Sequence, residues 1–117
     1  MSYYRSEENV YCTSKKLTAT AGQDVDNISI QAKGPCKIDS IIAKFADETS
    51  GDFTVQLTRN NITVDLLKVT LDSNKEVIAT DVNVWIPNAG NDSYQDSKLK
   101  IINETTENVD VIIDYAY

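Results

Sequence analysis

Residues 53–71 constrain this chain more than any other stretch: two runs of alternating apolar and polar side chains flank Asn60-Asn61. A period of two marks a strand with one buried face, and asparagine accepts the positive φ angles of a two-residue hairpin turn. With the turn at those two residues, Leu57 faces Val64 and Val55 faces Leu66. Phe53, Val55, Leu57, Val64 and Leu66 then share an apolar face, while Gln56, Thr58, Thr63 and Asp65 share a wet one. A slip of one residue would turn all five apolar side chains to solvent, so the register is strongly specified.

The same period recurs along the chain. Residues 10–21 read as a weak strand that improves toward Leu17. Residues 25–33 carry apolar positions at Val25, Ile28 and Ile30, with Val25 off the phase of the other two, and Gly34-Pro35 ends that run. Residues 36–46 alternate first on Cys36 and Ile38 and then on Ile41, Ala43 and Phe45, a phase change that places a bulge or bend near Ser40. Residues 47–52 read as a polar loop, which lacks the spaced carboxylates of a calcium loop. A second phase change, to Leu67, Val69 and Leu71, places another bulge at Leu66-Leu67. After a turn at residues 72–75, residues 76–87 form a strand with Ile78, Val82, Val84 and Ile86 on one face and Trp85 on the other. Residues 88–97 are a long polar loop, and residues 98–103 and 108–117 pair as a closing hairpin. These elements predict an all-β antiparallel sandwich of about eight strands, jelly-roll or immunoglobulin-like in layout. Its expected extent is residues 10–117, behind an extended arm at residues 1–9.

Composition narrows the function. The 117 residues are 41% hydrophobic, enough for one core burying roughly two-thirds of the unfolded surface. No apolar run approaches the roughly 20 residues of a membrane helix, and the first residues lack the basic start and apolar block of a secretory signal. Synthesis in a cytoplasm follows as the expectation, with Cys12 and Cys36 as reduced, buried thiols and a disulfide or functional thiol as the alternative. A net charge of −7 disfavours nucleic acid, which calls for clustered cations, and favours solubility or a basic partner.

The chain contains no histidine, which removes the commonest general base and nearly every catalytic zinc set. Neither a phosphate-cradling glycine loop nor a dinucleotide fingerprint is present. One tryptophan and two phenylalanines are too few aromatics to line a glycosidase cleft around paired carboxylates. The expectation is a protein without catalytic residues, cofactor or metal. Four Asn-x-Ser/Thr triplets, at Asn27, Asn61, Asn91 and Asn103, are what chance gives in a chain this rich in those residues.

The candidate contact residues are aromatic. Tyr3 and Tyr4 beside Arg5 form an arm suited to docking on a neighbouring subunit, since tyrosine and arginine are enriched at interfaces. Trp85 points away from its strand's apolar face, and Tyr94 is the one apolar anchor in the loop at residues 88–97. Trp85 with Tyr94 also suits a carbohydrate platform, ring stacking being one way to hold a sugar, so a ligand-binding module is the main alternative. A third reading is an acidic inhibitor of a basic site on another protein.

Two segments carry a resemblance. Residues 41–57, from Ile41-Ile42-Ala43-Lys44-Phe45 through Gly51 to Leu57, are similar to the strand, glycine turn and strand unit of small β-sandwich virion proteins of tailed bacteriophages. Residues 99–115, ending Val109-Asp110-Val111-Ile112-Ile113-Asp114-Tyr115, resemble their closing hairpin. The resemblance implies a non-enzymatic structural role as capsid decoration, head-tail connector or tail accessory. It also implies that the protein is made in the host cytoplasm and resides in the virion, with copies of itself or a capsid or tail protein as partners.

Overall fold

The computed structural model describes residues 12–29, 36–59, 61–86 and 97–116. The elements are strands β1 (Cys12–Ala19), β2 (Asp24–Ile28), β3 (Cys36–Arg59), β4 (Ile62–Ala79), β5 (Val84–Ile86), β6 (Lys98–Thr105) and β7 (Val109–Ala116). Every pairing is antiparallel. The centre is β3. Along one edge its first half pairs with β7, from Lys37↔Ala116 to Phe45↔Val109, and its second half with β6, from Gly51↔Thr105 to Thr58↔Lys98. Along the other edge β5 pairs with Cys36, Lys37 and Ile38, and β4 accompanies the rest as far as Arg59↔Ile62. β1 adds to β7 and β2 to β6.

A straight strand of 24 residues would run roughly 80 Å at about 3.3 Å per residue. The longest dimension of the molecule is 50 Å. β3 therefore folds over, and the rings of Phe45 and Phe53 meet edge to face with centroids 5.4 Å apart, where an unbent strand would hold them about 26 Å apart. The three-strand ribbon doubles into two layers of four, β1-β7-β3-β4/β5 over β2-β6-β3-β4. A long antiparallel ribbon folded on itself is the jelly roll, and this connectivity decides between the two layouts that the strand spacing left open. Between the layers lie Ile38, Ile41, Phe45, Phe53, Val55, Leu99, Ile101, Val109, Val111 and Ile113, all buried, each worth about 1.5–3 kcal/mol of transfer free energy.

The corner is built from local irregularities. Register shifts fall between Lys44 and Thr49 and again between Thr49 and Ser50, with Ser73 as the extra residue in β4 at φ 59°. Buried Thr49 receives the Thr106 amide on its hydroxyl at 3.1 Å, and the Ala46 amide reaches the Asn108 carbonyl at 2.9 Å. Both expected bulges are present. Asp39 is the unpaired residue between Ile38↔Tyr115 and Ser40↔Asp114, and Leu66 the one between Val55↔Leu67 and Gln56↔Asp65. The off-phase Val25 is explained by a further register shift before Ile28, with Asn27 at φ 56°.

The structure corrects the sequence reading at several places. Leu57 faces Val64 as expected, but Val55 faces Leu67 because Leu66 is the bulge residue. The polar stretches at 47–52 and 72–75 are the corner of the ribbon, inside β3 and β4, since their hydroxyls, carboxylates and glycine serve a bent strand as well as a loop. β6 and β7 do not form a hairpin. They run one after the other along the same edge of β3, because residues 106–108 turn the corner instead of reversing the chain. The strand expected at 76–87 breaks at residues 80–83, where Asn83 has φ 47°. That break separates the phase of Ile78, which is exposed, from that of Val84 and buried Ile86.

Candidate functional site

Alternation alone places Ile62 and Val64 on the core side of β4, opposite Arg59 and Leu57. Leu57 is 5% exposed, yet Ile62 is 68% and Val64 48% exposed. The cause is the opposing layer. There the strand beyond β3 is β5, only three residues long, so the apolar side of the β3–β4 hairpin tip extends past its cover. The result is a groove of about 330 Å³ at the mouth of the sandwich, lined by Leu57, Arg59, Ile62, Val64, Val84 and Trp85.

Trp85 lies between half-buried Val84 and buried Ile86 and so points to the outer face, where it is 62% exposed. Its cross-strand neighbour Lys37 places Nζ 6.0 Å from the ring centroid and 3.3 Å from Asp39 Oδ1. Ile78, on the outer face farther along β4, is also exposed. Among the described residues, Ile62, Val64, Ile78 and Trp85 are the large exposed hydrophobics, and all four fall on β4 and β5. Ile62, Val64 and Trp85 line the same groove, and exposed apolar side chains gathered in one place mark an interaction surface, whereas scattered ones do not.

The outer edge of β4 is protected. Asp65, Lys68, Asp72, Lys75 and Glu76 are exposed along it, and the bulges at Leu66 and Ser73 interrupt a straight hydrogen-bonding edge. Charges and bulges of this kind discourage strand addition, so the surface presents side chains for docking while resisting edge-to-edge pairing.

Of the residues singled out in the sequence, Trp85 lies at this site. Tyr94 lies outside the described residues, as do Tyr3, Tyr4 and Arg5 with the whole of the arm at residues 1–9. Ile62, Val64 and Arg59 were not among the sequence candidates. Their alternation counts them with the core, and the shortness of the strand that should cover them leaves no mark in their own segment. Among the described residues, no group of three or more His, Cys, Asp or Glu side chains is arranged to hold a metal ion.

No family model matches the sequence, and no curated protein matches it. Solved structures do. The core of Drosophila NLP, known for pentamer formation and histone binding, is 10% identical with a TM-score of 0.51, over 88% of this chain and 97% of that one. A subunit of Bacillus endospore appendages, a family of disulfide-linked pili, is 9% identical at a TM-score of 0.46, over 92% of this chain and 87% of that one. The STIV capsid protein is 10% identical at 0.49, over 92% of this chain and 41% of that one. At such identities the likeness to the Drosophila protein is one of fold.

Proposed function

We propose that this protein is a non-enzymatic structural subunit that self-associates through the β4–β5 side of its jelly roll. The observation that carries the reading is the exposure of Ile62, Val64 and Trp85 around one groove that opens to solvent, on the two strands that also carry exposed Ile78. The Drosophila core that shares the fold forms pentamers, which agrees with assembly by copies of one chain. Within this reading, the resemblance of residues 41–57 and 99–115 to small virion proteins of tailed phages makes the assembly a virion. The protein is then a capsid decoration, head-tail connector or tail accessory whose neighbours are itself or a capsid or tail protein. Light scattering of the full chain over a range of concentrations tests the core of the proposal. A defined multimer that dissociates on dilution is expected; a monomer at every concentration overturns self-association.

The exposure of Trp85 favours one second reading, a carbohydrate-binding module with the indole as platform. It predicts a monomer whose tryptophan fluorescence saturates with a glycan, and the chain's one tryptophan makes that signal specific.

A further inference from the structure

The register places the start of the described chain on the same row as the groove. Cys12 pairs with Ala116, Ala116 with Lys37, and Lys37 with Trp85. Three strand spacings of about 4.8 Å put the start of β1 about 14 Å from Trp85, at the same end of the sandwich. The eleven residues that precede β1 span up to about 36 Å when extended. Tyr3 and Tyr4, nine and eight positions before Cys12, can therefore reach as far as about 26–30 Å from it. That is about twice the separation to the groove of the same molecule, and the row between is occupied by the strands that begin at Cys36 and end at Ile86 and Ala116. The reach suits the groove of a neighbour.

We infer that the groove lined by Leu57, Arg59, Ile62, Val64 and Trp85 receives the N-terminal arm, residues 1–9, of a second copy of this chain. The inference deepens the self-association reading and rests on it. The chemistry of segment and site is complementary. The arm offers Tyr3 and Tyr4 to an apolar groove whose volume is at the lower end of the roughly 300–1,000 Å³ typical of pockets. Its Glu7 and Glu8, which outnumber Arg5, match the positive charge that Arg59 supplies at the groove, while Lys37 beside Trp85 is paired with Asp39. The guarded edge of β4 disfavours a copy binding by strand addition along its length and so favours side chains entering the groove on that side.

The test uses the full chain, as an equal mixture of unlabelled and ¹⁵N-labelled protein in which Tyr4 is replaced by a photo-crosslinking phenylalanine. Cross-links joining the arm of one isotope to a peptide containing Ile62–Val64 or Trp85 of the other are expected. Ile62→Asp is expected to weaken self-association about tenfold or more and to suppress those cross-links. Its side chain is exposed, so circular dichroism and the thermal midpoint should match the parent; Trp85→Ala provides an independent change should they not. Cross-links confined to one isotope, which would mean an arm folded on its own molecule, overturn the inference, as do cross-links elsewhere or a multimer indifferent to both substitutions. Light scattering separates the two claims: a multimer with the arm elsewhere overturns the groove assignment alone, and a monomer overturns self-association with it.

Discussion

The Asn103 side chain closes a buried clamp on Thr105, its Oδ1 accepting from both the Thr105 amide at 3.1 Å and the Thr105 hydroxyl at 2.6 Å. Its amide group donates to the carbonyls of Thr20 at 3.2 Å and Glu107 at 2.9 Å. Asparagine has two donor hydrogens and two acceptor lone pairs, and all four are used here, in a residue with no exposed surface. The clamp ties the β1–β2 turn to the point where the β6–β7 ribbon bends.

Asn103→Leu keeps the branching at Cγ, adds bulk and removes every one of these bonds, leaving the buried Thr105 amide unsatisfied. We expect a loss of about 3 kcal/mol, at the high end for single substitutions. Urea unfolding should show a lower midpoint at an unchanged slope; a midpoint equal to the parent's would contradict the clamp.

Gly51 is held at φ 122°, and a Cβ there would lie 2.5 Å from the Glu104 carbonyl oxygen. Neither backbone can yield easily, because Gly51 pairs with Thr105 on one side and Leu71 on the other. Gly51→Ala should cost more than about 2 kcal/mol. Gly22→Ala is the control, at φ 70° with nothing within 4 Å of the added carbon, and should cost about 1 kcal/mol. Equal thermal midpoints for the two variants would refute the close-approach argument.

Burial pushes the Cys36 thiol from 9.0 up to about 11. The folded protein therefore holds its proton more tightly than the unfolded chain does. The corresponding stability is complete below pH 9 and is lost as pH climbs through 9 toward 11. Cys36→Val should flatten that part of the stability-against-pH curve. In a Cys12→Ser background, a thiol reagent at pH 8 should label Cys36 only as fast as the protein opens, and rapidly in denaturant. Fast labelling of the native state would contradict the burial.

Ile78 is exposed on the β4 side that we assign to association. Ile78→Lys should leave the unfolding free energy within about 0.5 kcal/mol of the parent while lowering the multimer fraction seen by sedimentation. A large fall in stability would instead mean that this side chain packs within its own subunit.

Whatever depends on neighbours along the chain is readable from the residues alone. Strand identity, the inward and outward faces, the turn at Asn61 and the bulges at Asp39 and Leu66 all follow from a period of two and its interruptions, because each side chain's face is set by its immediate position on the backbone. The outward orientation of Trp85 was legible for the same reason. Only the tertiary structure decided that residues 47–52 are a folded strand, that β6 and β7 follow one another along β3, and that Asn103, one of four similar triplets, is a buried clamp. It also decided that Ile62 and Val64 are surface. Their own segment marks them as core, and their exposure depends on how far a three-residue strand distant in sequence extends across the opposite layer. Alternation fixes which way a side chain points; what stands in front of it is settled by long-range packing, which a local pattern does not encode.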